Sequence, residues 1–254
     1  MILTPNRREF LKYAGVGAGA AAFLAGKRDA KGQSIFRAQN VASGGSPNGL
    51  LITSSAAVAS GAATAAGVDT TGATLIVLGC TTVFSMSPPT DSKSNTWTQV
   101  AVGAAHNTNF SIFFCFAPTV GAGHTFTLPS NGSGYNQTIV MAAFSGAGQS
   151  GGSARDGGHQ STSGTPPTPA QAGAVTPTVA RDIVISLAAI EQGTGVPNSP
   201  DSGFTVAVVA GAGTGQAVSI AYLFQNSAAA VNPLWTLGLG NLYWGVINQP
   251  FFGT

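Results

Sequence analysis

The chain predicts an all-β fold, an antiparallel, jelly-roll-like β-sandwich behind an N-terminal signal helix, and three observations carry that expectation. Short apolar runs closed by Gly, Pro, Asn, Asp or Ser recur from residue 69 to residue 144, the pattern of strands joined by turns. In FSIFFCFA the side chains alternate, with Phe110, Ile112, Phe114 and Phe116 on one face and Ser111, Phe113 and Cys115 on the other. The same alternation returns 108 residues later in Val218-Ser219-Ile220-Ala221-Tyr222-Leu223-Phe224. The Phe110 face is the expected core, because a fully buried large apolar side chain contributes about 1.5–3 kcal/mol.

Composition narrows the class. A chain of 254 residues with 44% apolar content can bury an ordinary core. Only 7% of its residues are charged, against roughly 25% in an average soluble domain. Solubility then rests on Ser, Thr, Asn, Gln and backbone polarity, a habit of exported β-proteins. The net charge of +2 is local, since Arg7, Arg8, Lys12, Lys27 and Arg28 all precede Ala30. Beyond that point Lys31, Arg37, Lys93, Arg155 and Arg181 face Asp69, Asp91, Asp156, Asp182, Glu191 and Asp201. No basic face remains, which argues against nucleic acid and against an anionic bilayer as partners.

Taken in order, residues 1–30 read as an export signal. Asn6-Arg7-Arg8-Glu9-Phe10-Leu11-Lys12 precedes an Ala/Gly-rich apolar stretch and the polar exit Lys27-Arg28-Asp29. Arg7, Arg8, Phe10 and Leu11 match a twin-arginine motif, with Asn6 where Ser or Thr is usual. The apolar stretch of about 14 residues is short of the roughly 20 a membrane span needs. No lipid-acceptor Cys follows it and no apolar tail closes the chain, so no stable membrane anchor is expected after cleavage. The twin-arginine translocase is the expected partner during export, and periplasm, cell surface or the extracellular space is the expected destination. Cargo of that route folds before it crosses, so this fold should not need a disulfide.

Residues 31–254 form the expected β domain. SIFRAQNVASGG and GLLITSSAAVASG each offer a strand, the second with weaker periodicity. Leu75, Ile76, Val77 and Leu78 are apolar on both parities, as in a strand buried on both faces. Asp91-Ser92-Lys93-Ser94-Asn95 is rich in side chains that bond nearby backbone and reads as a turn before TWTQVAV. Residues 147–178 are Gly/Ser/Pro-rich, and Pro166, Pro167, Pro169 and Pro177 keep them from a sheet centre, leaving room for one irregular edge strand. Asp182-Ile183-Val184-Ile185 then echoes the Leu75 run, and Trp235-Thr236-Leu237 echoes Phe126-Thr127-Leu128. These echoes predict a pseudo-repeat of halves 69–146 and 179–252. Either they pair into one sandwich of about ten to twelve strands, the favoured arrangement, or they pack as two.

DTTGATLIVL, the TDSKSNTWT turn, FSIFFCFAP, the closing AAFSG and a late strand with Trp244 together resemble an uncharacterised family of exported bacterial jelly-roll-like domains, with TTGA-L-V and D-S-x-G-N-x-x-T signatures. The resemblance covers most of the chain after the leader. Ser94 stands where that turn usually carries Gly. The resemblance implies fold and a surface or secreted location, and it brings no activity with it.

Candidate chemistry is sparse. Cys80 and Cys115 fall on strands that are expected neighbours, so they either bridge or remain buried thiols. His106, His124 and His159 show no i, i+2 or i, i+4 spacing, which argues against a zinc site. Asp91 and Asn95 carry oxygens suited to Ca²⁺, and equally to an Asx turn. There is no Gly-x-Ser-x-Gly. Glu191 would need Asp156, Asp182 or Asp201 as a glycosidase partner, and Asp182 abuts Arg181 as if paired with it. Tyr135, Tyr243 and Trp244 are the candidate binding aromatics, since neighbours on a strand face opposite ways and one of the last two should meet solvent. The expectation is an exported, non-enzymatic binding or adhesion module without cofactor or metal, with a glycan or surface polymer as ligand. The alternative is a self-assembling coat or appendage subunit, a homo-oligomer; a secreted hydrolase comes third.

Overall fold

The computed structural model describes residues 51–59, 64–83, 85–129, 137–191, 195–211, 216–238 and 243–254. The leader with Arg7, Arg8, Phe10 and Leu11, the SIFRAQNVAS stretch and Tyr135 lie outside the described residues. Among the described residues the chain is all β, without helix. The first half runs β1 (Leu51–Ala59), β2 (Thr64–Val68), β3 (Leu75–Val83), β4 (Thr90–Asp91), β5 (Thr98–Ala105), β6 (Thr108–Phe116), β7 (His124–Thr127) and β8 (Gln137–Ser145). The second runs β9 (Gln160–Gly164), β10 (Asp182–Glu191), β11 (Pro197–Pro200), β12 (Thr205–Ala210), β13 (Gln216–Gln225), β14 (Trp235–Leu237) and β15 (Tyr243–Phe251).

All strand pairings among these are antiparallel. Two five-stranded sheets have the orders β1-β8-β3-β6-β5 and β12-β13-β10-β15-β9, and two small sheets have the orders β2-β7-β4 and β11-β14. One apolar cluster draws on both large sheets, joining Leu75, Val77, Phe110, Ile112, Phe114 and Phe144 to Ile183, Ile185, Leu187, Ile220, Ile247 and Phe251. A second fills the opposite face of the first large sheet, where Ile76, Leu78, Phe113, Ile139 and Met141 meet Phe126 and Leu128. A third does the same for the second sheet, packing Val184, Ile190, Trp244 and Val246 on Trp235, Phe204, Ala170 and Val175.

This layering explains why Leu75–Leu78 and Ile183–Ile185 are apolar on both parities: each covers core on both sides. It also corrects the single core face expected for β6. Phe113 is wholly buried and Cys115 nearly so, because the small sheet carrying Phe126 covers what would otherwise be the solvent side. Phe110 is held between two glycines. A Cβ on Gly103 or Gly245 would fall 2.2 or 2.1 Å from its ring, well inside van der Waals contact.

The edges are irregular. Bulges interrupt β1 between Ile52 and Ser54, β5 between Gln99 and Ala101, and β12 between Val206 and Val208. The fourth edge is β9, the irregular strand of the 147–178 connection, which pairs with β15 through Gln160 to Gly164 and runs on into Pro166 and Pro167. Bulges and prolines are the devices that keep a free edge from templating another strand.

Candidate functional site

The site is built at the end of the molecule where β5 turns into β6. His106 occupies that turn with φ of +56, a left-handed conformation that swings its ring out of the hairpin. Glu191, the last residue of β10, lies beneath it. Its Oε2 accepts the N–H groups of Asn107 and Thr108, both at 3.1 Å, and its Oε1 lies 3.2 Å from His106 Nδ1. Glu191 pairs across the sheet with Tyr243 at the start of β15. The Tyr243 ring in turn stacks on the His106 imidazole with centroids 4.3 Å apart and planes 7° from parallel. The first large sheet thus contributes the imidazole, and the second the carboxylate and the phenol.

The exposures fit a recognition surface. The His106 side chain is 39% exposed, whereas that of Glu191 is 6% exposed. A carboxylate accepts only, so it takes the proton on Nδ1 and leaves Nε2 of a neutral ring as an acceptor. The result is a flat imidazole–phenol pair on a buried negative charge fixed by two backbone amides. Such a surface suits a ligand with an apolar flank and hydroxyl groups.

A second polar cluster is wholly buried. His124 Nε2 lies 3.1 Å from Asp91 Oδ1, and Thr70 Oγ1 lies 2.9 Å from His124 Nδ1. Asp91 also accepts the backbone N–H groups of Lys93 and Asn95, the Asn95 side-chain amide and the Trp97 indole N–H at 2.8 Å. With Nε2–H donating to Asp91, Nδ1 accepts the Thr70 hydroxyl proton, and Thr70 Oγ1 accepts the Gly121 N–H. These are the residue types of a hydrolase triad. Here the imidazole and carboxylate have no solvent exposure, and Thr70 none either. Burial lowers the His124 pKa, and the Asp91 hydrogen bond only partly opposes it. The cluster ties the β4, β6–β7 and residue 69–73 segments together. Nothing in the sequence flagged it, since Thr70 and His124 are 54 residues apart.

The third cluster is a pair of acids. Asp156 accepts Thr178 N–H and O–H and, at 3.3 Å, Val179 N–H. Burial alone would raise its pKa, and hydrogen bonds from Asp182 and from Thr178 and Val179 hold it low instead. Burial, followed by the hydrogen bond and charge of Asp156, pushes Asp182 up to about 8. The partnership of Asp182 with Arg181 expected from adjacency is not formed. Arg181, with φ of +74, is exposed while Asp182 is buried.

The remaining candidates fall as follows. Cys80 and Cys115 are free. Their strands are neighbours and both side chains share a face, but Cys80 pairs with Ser111 while Cys115 pairs with Ile76. Four residues of strand, about 13 Å, separate them, beyond the reach of a bridge. Burial raises both thiols, Cys115 to about 11 with help from the Asp91 charge. Trp244 is fully buried, so of the Tyr243-Trp244 pair only Tyr243 reaches the surface. The donors converging on Asp91 make it the cap of an Asx turn, and Asn95 Oδ1 accepts Thr119 N–H. Asp69 caps a turn likewise, accepting Thr71 N–H, whereas Asp201 accepts the N–H of the distant Leu234. His159 sits 3.3 Å from an Arg155 guanidinium nitrogen. Among the described residues no three His, Cys, Asp or Glu side chains gather as a metal site. No family model, no curated protein and no solved structure matches this chain.

Proposed function

We propose that this chain is an exported, non-catalytic binding module that recognises a glycan through His106 and Tyr243. We further read each large sheet with its small sheet as a jelly-roll-like β-sandwich, in keeping with the family resemblance in the sequence. The observation that carries the function is the stacked ring pair on the buried Glu191 carboxylate. Sugar recognition commonly couples an aromatic face, for the C–H side of the ring, with fixed polar groups for its hydroxyls. The non-catalytic reading is supported by where the carboxylates stand. Glu191 and Asp182 occupy opposite ends of β10, about 30 Å apart, whereas a glycosidase pair stands about 5–10 Å apart.

The test is a glycan array probed with the chain from residue 31 onward, followed by titration of any hit against Tyr243→Ala and His106→Ala. Binding weakened at least about tenfold in both variants, with unchanged melting temperature, is the expected outcome. A silent array, or variants that bind as the parent does, removes the proposal. The assembling-subunit alternative draws on the free edge of β5, where Val102 is 53% exposed. Large species in size-exclusion chromatography would favour it, although the bulges at three edges weigh against strand addition.

A further inference from the structure

We propose that the chain is a fused pseudo-dimer, in which residues 51–146 and 160–252 are two copies of one half-domain docked through their large sheets across an internal twofold axis. The partner that each inner sheet face fits is then the other copy. The proposal stands apart from the glycan reading and does not depend on it.

Strand order is the first support. Written as β5-β6-β3-β8-β1 and β12-β13-β10-β15-β9, the two sheets place each strand of one where its sequence counterpart lies in the other. Register follows in detail. Leu75↔Phe116 and Val83↔Thr108 on β3–β6 become Ile183↔Phe224 and Glu191↔Gln216 on β10–β13, all displaced by 108 residues. The bulge after Gln99, which faces Phe113, returns after Val206, which faces Ala221. Asp91↔Phe126 in one small sheet returns as Pro200↔Trp235 in the other. Ser94 and Ser202 hold the same left-handed conformation, φ of +59 and +58.

Two similar modules set side by side would share all of this without being symmetric. The interface decides between these cases, because in an isologous contact residue i meets j of the other copy and j meets i. Phe114 packs edge-on against Phe251 with centroids 5.1 Å apart and planes at 67°. Its counterpart Tyr222 packs edge-on against Phe144, the counterpart of Phe251, at 5.6 Å and 69°. A twofold axis also makes residues lying on it touch their own counterparts, and two do. A Cβ on Gly79 would lie 2.6 Å from Leu187 Cδ1, and Gln216 Nε2 donates to Thr108 Oγ1 at 2.9 Å. Both pairs are displaced by the same 108 residues. The axis therefore runs from the sheet centre toward the His106 end. There the symmetry breaks, because the position matching Glu191 is Val83, which brings no carboxylate.

The test exchanges counterparts across the axis in the full chain. Gly79→Leu alone drives a side chain into Leu187, and Leu187→Gly alone leaves a cavity. Each should lower the melting temperature by about 5–15 °C. The wall that receives the transplanted leucine, Val140 and Ile220, has Ile247 and Ile112 as its counterparts. The doubly exchanged chain should therefore melt above both single variants. Thr108→Gln with Gln216→Thr is the gentler exchange and decides by the same criterion if Gly79→Leu does not fold. A double variant that melts at or below either of its singles overturns the proposal.

Discussion

Asp182 is the residue whose chemistry reaches furthest into the behaviour of the protein. Unfolded, it titrates near 3.8, and folded it does so at about 8, so the native state holds a proton that the unfolded chain has released across that window. Its contribution to stability is complete below about pH 4 and is lost as pH rises toward 8. His124 works the other way: burial lowers its pKa, so stability is lost as pH falls below about 6.5, where the unfolded ring takes a proton first. Asp156, held low, adds a second loss in stronger acid. Between pH 6.5 and 8 the Asp182 trend therefore acts without opposition from these two. Urea midpoints should fall across that range, and Asp182→Asn should flatten the slope; an unchanged slope would show that Asp182 is already ionised. Removing the carboxylate at Asp91 strands buried donors from Trp97 and His124 along with two backbone amides. Asp91→Ala should cost about 2–4 kcal/mol in denaturant unfolding, and a loss under about 1 kcal/mol would contradict the buried network. At this scale the sequence read Asp91 well, because turn chemistry is local. It misread Asp182 and missed Thr70 and His124, whose partners are distant in the chain.

Among the elements, β6 shows most clearly what alternation conveys and what it omits. The period-2 pattern placed Phe110, Ile112 and Phe114 in one core, where they lie. It gave no warning that Phe113 fills another, because that depends on the small sheet formed by β2, β7 and β4. The glycines on either side of Phe110 were equally silent, since a glycine inside a strand looks like a weak point until the ring it admits is seen. Gly245→Ala should lower stability by about 1–3 kcal/mol, as a methyl group there meets the Phe110 ring on a central strand with no free space. A variant with an unchanged denaturant midpoint would mean that the ring can move aside. The Pro-rich connection was legible as an edge: β9 pairs on one side only and ends before Pro166.

For the molecule as a whole, the recurrence of the Phe110–Phe116 alternation at Val218–Phe224 was readable because each alternation is local. How the halves meet was not, since interface partners such as Phe114 and Phe251 carry no sequence spacing that points to one another. The candidate site shared this fate: Tyr243 was visible as an aromatic at a strand end, while His106 and Glu191 came to it only through the turn and the neighbouring sheet. The two thiols complete the picture, and their separation along β3 and β6 has a practical side. A protein whose sulfur atoms are neither joined nor reachable owes nothing to the redox state around it. Its melting temperature should be the same with and without millimolar dithiothreitol, and thiol-reactive dyes should label it only after denaturation. A drop on reduction would expose a hidden bridge. Absent that drop, the fold calls for no oxidising compartment and no disulfide isomerase.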